Sequence, residues 1–255
     1  MKMKTNMNKV QITGISLFFL LTLFAQLTFA KSSDGHPSKG TLKIFVEYRL
    51  AKDHLLNDNN INVDINGNKI ILSGTEQTIY EKNQAAQETQ DVAENYVVIN
   101  NITVASPFVS DSAVVKNVQK RIFKNVFYGV FDWVTVHYKN GIVTLKGWVH
   151  LPWYKSQFQK EAEKVVGVKS VNNELQNTFG PGNIGRRAAR LIYNDPMFEG
   201  MEYDSNPPIH IIVNNGTVLL EGSVMSKAQS GWASNLVRYY TGAITIKDNL
   251  SIIKG

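Results

Sequence analysis

Cysteine is absent from the 255 residues, which excludes disulfides, zinc-thiolate and iron-sulfur centres, a cysteine nucleophile and a lipid anchor on an N-terminal Cys. Charge is sparse at 19%, yet 43% of the residues are hydrophobic. That balance fits neither a disordered tail nor a polytopic membrane protein. Long apolar runs are also missing beyond the first thirty residues, where nothing approaches the ~20 residues that a spanning helix needs. No H-E-x-x-H or G-x-S-x-G occurs, and His36, His54, His137, His150 and His210 share no metal-ligand spacing. Acidic residues fall short of basic ones, 21 against 27, for a formal net charge of +6.

Part of that excess belongs to the leader. Lys2, Lys4 and Lys9 precede an apolar run from Ile15 to Ala25, and Leu27-Thr28-Phe29-Ala30 ends in small residues at −3 and −1. The pattern is that of a secretory signal peptide over residues 1–30, cleaved after about Ala30, since the run is roughly half of a membrane span. Removal of three lysines lowers the net charge to +3. The expected location is a bacterial periplasm, with no nucleic acid among the partners. Absence of cysteine is compatible with that compartment.

Self-similarity organises the rest of the chain. Val134-Thr-Val-His-Tyr-Lys-Asn-Gly141-Ile-Val-Thr-Leu-Lys-Gly147 matches Ile209-His-Ile-Ile-Val-Asn-Asn-Gly216-Thr-Val-Leu-Leu-Glu-Gly222 at an offset of 75, and Ile61 to Gly74 precedes the middle copy by 73. Such spacing marks an array of similar units. In each copy, apolar residues alternate as in a half-buried strand, an Asn/Gly pair supplies a tight hairpin, and a return strand ends in glycine. A helical stretch such as 155–166 and a short strand such as 171–175 follow, and another helical stretch precedes the hairpin. The order is helix, strand, strand, helix, strand. Residues 31–38 are a linker, and the units span 39–105, 106–178 and 179–255.

The core V-x-V-x-x-x-G-x-V-x-L-x-G, followed by G-V-x-x-V-x-N-x-L, resembles the BON domain family. Val134, Val136, Gly141, Val143, Leu145, Gly147, Gly167, Val168, Val171, Asn173 and Leu175 carry the match. The third unit has Asp248 where the second has Asn173, and the first has Glu94 in place of Gly167. The resemblance implies an α+β fold of three tandem αββαβ sandwich domains. It also implies a non-enzymatic envelope protein, because exported members associate with phospholipid or respond to osmotic stress.

Two apparent sites are set aside. Gly180-Pro-Gly182-Asn-Ile-Gly185 has the form G-x-G-x-x-G, but it sits between units, and Pro181 removes an amide that a pyrophosphate would need. A linker feeding a helix capped by Asn183 is the expectation. Glu76, Glu81, Glu88, Asp91 and Glu94 read as a solvated helix face. No catalytic residue, metal ligand or cofactor is expected.

Charge distribution points elsewhere. The three units carry −3, +5 and +1. In the second, Lys116, Lys120 and Lys124 stand at i, i+4, i+8, about 200° from a ridge of Val114, Val118, Ile122 and Val126. Like charges at this spacing cost the helix a few tenths of a kcal/mol per pair, so the row suits an anionic surface better than the helix itself. Phe131, Trp133, Trp153 and Tyr154 with Lys155 lie close by in sequence, as do Phe127, Tyr128 and Trp148. Aromatics beside lysine suit the headgroup region of a bilayer, and burial in the core is the alternative for each ring. The expected partner is an anionic phospholipid surface, bound through Lys116, Lys120, Lys124, Phe131, Trp133, Trp153, Tyr154 and Lys155. A scaffold that binds envelope proteins, with no lipid contact, is the alternative.

Overall fold

The computed structural model describes residues 38–52, 61–105 and 107–253. The leader expected over 1–30, residues 31–37 of the expected linker, His36 and His54 lie outside the described residues. The chain divides into two compact units. Among the described residues, one takes those up to Gly74 and Ala85–Asn101, and the other takes Thr75–Gln84 and those from Ile102 onward. The α+β array of three αββαβ domains is what the elements form.

The first repeat runs α1 (Lys39–Lys52), β1 (Ile61–Asn66), β2 (Lys69–Glu76), α2 (Ile79–Val92), β3 (Val97–Val104), with sheet order β1-β2-β3. Leu42, Val46 and Leu50 recur every four residues and are buried, which makes one apolar stripe on α1. A capping box opens α2: the Thr78 amide donates to Glu81 Oε2 at 2.8 Å, and the Glu81 amide donates to Thr78 Oγ1 at 3.2 Å. The five carboxylates therefore do not form one solvated face. Glu76 is buried in β2, Glu81 caps α2, Glu88 pairs with Arg49, and only Asp91 and Glu94 are exposed.

The second repeat runs α3 (Asp111–Phe123), β4 (Trp133–Lys139), β5 (Ile142–Val149), α4 (Tyr154–Glu163), β6 (Ser170–Asn177). The third runs α5 (Gly182–Tyr193), a 3-10 turn at Met201–Tyr203, β7 (Ile209–Asn214), β8 (Thr217–Val224), α6 (Lys227–Tyr240), β9 (Thr245–Ile252). In both, the hairpin is antiparallel and the last strand adds parallel to the return strand, so the helix between them makes the crossover. The register pairs Tyr138 with Val143 and Val213 with Val218. Alternation then sends Val134, Val136, Val143 and Leu145 to one core, and Ile209, Ile211, Val218 and Leu220 to the other.

The motif residues have structural tasks. Gly147 and Gly222 sit at φ +122° and +123°, and a Cβ there would lie 2.0 Å from the Trp133 carbonyl oxygen or 2.2 Å from that of Pro208. Only glycine lets the return strand cross so close to its neighbour. Asn173 Nδ2 donates to the Lys155 carbonyl at 2.8 Å, tying the last strand to α4. Asp248 does this work in the third repeat with the donors reversed: Ser230 and Ser234 hydroxyls both donate to its Oδ2 at 2.7 Å. A carboxylate only accepts, so the facing helix supplies the hydroxyls.

The glycine-rich stretch opens α5, but not with the expected cap. The N-cap of α5 is Pro181, without a side-chain cap, and Asn183 lies inside the helix, where its Oδ1 accepts from Arg186 at 2.9 Å. Gly185 is buried, and its missing Cβ makes room for Val213 of β7.

Candidate functional site

The lysine row lies on the exposed side of α3. Val114, Val118 and Ile122 turn into the core, while Lys116, Lys120 and Lys124 are exposed. Helix α3 ends at Phe123, with Lys124 as its C-cap. Lys120 and Lys124 thus occupy the end where the helix macrodipole favours cations, which offsets their mutual repulsion. Val126 leaves the helical ridge altogether. The Phe127 amide donates to Asn125 Oδ1 at 3.1 Å in a tight turn, and Val126 is 87% exposed.

Beside this turn lies an open groove of about 650 Å³ between the ends of α3 and α4. Lys120, Arg121, Lys124 and Lys164 bring four cations to it against one carboxylate, Glu161. Glu161 is held by Arg121 at 3.2 Å and by Lys164 at 2.8 Å. Among the described residues, no carboxylate lies within ion-pair distance of Lys116, Lys120 or Lys124. Such a cluster of solvated ammonium groups raises the local concentration of anions and offers donors to phosphate oxygens.

The aromatics separate into two groups. Phe127 (37% exposed), which directly follows Val126 in the chain, and Trp153 (44%) form an edge-to-face pair with ring centroids 4.6 Å apart. Tyr154 sits beneath them, 5.5 Å from Phe127, and is buried in the core. Lys155 is half-buried, and its carbonyl carries the bond from Asn173. Phe131 and Trp133 lie elsewhere: Phe131 packs against the core of the third repeat, and Trp133 stands 5.0 Å from the His210 ring. The structure brings Lys120 and Lys124 together at the groove, pairs Trp153 with Phe127, and draws Phe131 and Trp133 into the junction between the second and third repeats.

That junction is a second polar constellation. The Ile211 amide donates to the Val130 carbonyl at 2.7 Å, and Tyr128 Oη donates to Asn206 Oδ1 at 3.2 Å. His210 is fully buried, with Nδ1 3.2 Å from the Gly129 carbonyl oxygen and Nε2 lacking a partner. Desolvation by burial lowers its pKa from 6.5 to about 4, against the smaller opposing effect of backbone hydrogen bonds. Asp132, also fully buried, accepts from the Gly129 amide and from the backbone and Nδ1 of His150, the latter two at 3.0 Å. This is a satisfied structural knot with one orphan nitrogen.

Arg121, Lys164, Val126 and Phe127 were not assigned to the site by sequence reasoning. Lys164 was the least visible, because it lies on a different helix from the lysine row. Among the described residues, no helix is long and apolar enough to cross a membrane.

Comparison with known proteins gives a family and a distant likeness. A family model described as BON domain matches residues 46–106, 110–177 and 199–254. No curated protein matches the chain. Among solved structures, the chain is similar to the C-terminal domain of CdsD, a type III secretion system structural protein of Chlamydia trachomatis, at 12% identity, covering 81% of this chain and 96% of that one with a TM-score of 0.26. It is also similar to the PrgH periplasmic domain, at 11% identity over 76% and 96%, with a TM-score of 0.20.

Proposed function

The chain belongs to the BON domain family, and from that premise we propose that it is an exported protein that binds the anionic face of an envelope membrane peripherally through its second repeat. Membership fits an envelope protein, and BON is not a family of known enzymes. The observation that carries the lipid reading is the basic end of α3. Among the described residues Lys116, Lys120 and Lys124 have no carboxylate partner, Val126 and Phe127 are exposed just after the last of them, and Trp153 is exposed against Phe127. In this mechanism the ammonium groups draw the protein to an anionic leaflet, each contributing ~1 kcal/mol. The apolar side chains then enter the headgroup boundary, where an exposed aromatic pair loses water at little conformational cost. Anchoring falls to Val126, Phe127 and Trp153, with Phe131, Trp133 and Tyr154 engaged in packing. Envelope maintenance or protection in osmotic stress is the role we assign.

Co-sedimentation with vesicles tests this. The exported protein should pellet with phosphatidylglycerol-containing vesicles and not with pure phosphatidylcholine, and added salt should weaken the binding. Equal binding to both vesicles, or full binding by a K116E/K120E/K124E variant, overturns the reading. A defined protein partner with no vesicle binding selects the scaffold alternative.

A further inference from the structure

The third repeat carries a basic face of its own. Helix α5 buries Gly185, Ala188, Ile192 and Tyr193, and its sequence GNIGRRAARLIY contains no acid. Arg186, Arg187 and Arg190 are exposed on the other side, and among the described residues none has a carboxylate within ion-pair distance. Arginine rather than lysine matters here, because a guanidinium presents a planar fork that takes phosphate oxygens two at a time. In the order of the repeat, α5 holds the place that α3 holds in the second.

Phe179 stands just ahead of this helix. Its φ is +57°, in the left-handed region that L side chains enter at a cost, and its ring is 87% exposed. The conformation is held by the Phe179 amide donating to Asn177 Oδ1 at 2.7 Å. The backbone is thus fixed in a strained state that leaves a large apolar ring in water. Among the described residues, nothing covers the ring.

We propose that Phe179 with Arg186, Arg187 and Arg190 is a second membrane-contact surface, taking the phosphate groups of anionic phospholipid on the arginines while the Phe179 ring enters the acyl boundary. The occupant is set by charge complementarity: three guanidinium groups with no carboxylate partner among the described residues, and one apolar ring, within residues 179–190 match an anionic headgroup layer over hydrocarbon. The inference rests on the lipid reading of the second repeat but uses different residues. It makes the chain bivalent, so that the second contact forms at high effective concentration once the first is made.

The absence of cysteine permits a clean test. Single variants Phe179→Cys and Phe127→Cys, each labelled with an environment-sensitive fluorophore, are titrated with phosphatidylglycerol/phosphatidylcholine vesicles and with phosphatidylcholine alone. The label at 179 should shift to the blue with anionic vesicles only, and spin-labelled acyl chains should quench it. Replacing Arg186 and Arg190 by Gln should weaken the response at 179 roughly thirtyfold in vesicle concentration. A silent label at 179 beside a responsive one at 127 overturns this inference and leaves the proposed function standing. Response at 179 with silence at 127 does the reverse. Silence at both removes both. A response at 179 that neutral vesicles also produce, or that Gln substitution leaves unchanged, overturns the arginine contact.

Discussion

The first helices of the first and second repeats are both basic, yet they use their cations differently. On α1, Lys43 pairs with Glu47 at 3.7 Å, and Arg49 pairs with Glu88 of α2. On α3, Arg121 repeats the second of these, reaching Glu161 of α4 at 3.2 Å. The sequence separations are 39 and 40 residues, so the arginine-glutamate link between the two helices is shared by the first two repeats. Lys116, Lys120 and Lys124 have no such partner among the described residues. A cation that recurs with its partner belongs to the fold, and a cation that appears without one is available for a ligand.

The largest expected effect separates those two classes. Reversing Lys116, Lys120 and Lys124 to Glu should lower the partition onto anionic vesicles by more than about a hundredfold, since three cations near an anionic leaflet contribute ~1 kcal/mol each. Reversing Lys39 and Lys43 on α1 should change it less than about threefold, because the first repeat is already net acidic. Vesicle titration of both variants measures the ratio. Comparable losses would collapse the distinction between the two helices.

One repeat position differs in burial across the three units. Asn62, Thr135 and His210 are equivalent by the 73- and 75-residue offsets, and they are exposed, half-buried and fully buried in turn. Residues Gly129 to Phe131 of the second repeat cover the third of them, through the Gly129 carbonyl and the packing of Val130 and Phe131. Folded His210 has a pKa of about 4, against 6.5 for the ordinary side chain. Above pH 6.5 it is neutral in both states, so its contribution is complete. As pH falls from 6.5 towards 4, the unfolded chain takes up the proton first, and about 3 kcal/mol is lost in that window. Asp132 and His150 lie close to the junction, so the measurement is a difference. Urea unfolding of wild type and His210→Phe between pH 7 and 4 should show a steeper decline for wild type, and parallel curves would remove His210 from the acid response.

Much of the fold was legible because its determinants are local. Period-2 apolar residues, Asn-Gly turns and the terminal glycines carry their own geometry, as at Asn140 and Gly141, both with positive φ. The first hairpin departs from this in detail, with positive φ at Gly67 alone. The site was legible in part. Lysines four apart on an amphipathic helix announce an exposed row, but the helix ends at Phe123, and so Val126 became an exposed apolar residue instead of a core one. Phe131 and Trp133 share the composition of Phe127 and Trp153. What separates them is packing between repeats, which no periodicity within one repeat encodes. Averaging charge over whole units concealed the arginines of α5, because six acidic residues elsewhere in the third unit offset its seven basic ones.

The smallest effect tests the shared device itself. Arg49 and Arg121 leave 47% and 43% of their side chains exposed, whereas Glu88 and Glu161 leave 13% and 15%. Pairs of this kind couple by about 0.5–1 kcal/mol, near the upper end for partly exposed ion pairs. Double-mutant cycles with R49A/E88A and R121A/E161A, read by urea unfolding, should return similar coupling in the two repeats. The pair at Arg121 has one further feature, because Lys164 also holds Glu161 at 2.8 Å. Removing Arg121 therefore leaves the carboxylate partnered, whereas removing Glu161 frees two cations into the groove. E161A should consequently strengthen anionic vesicle binding several-fold even as it lowers stability, and E88A should lower stability alone. A Glu161 variant that bound vesicles no better than wild type would mean that the groove's charge plays no part in the lipid contact.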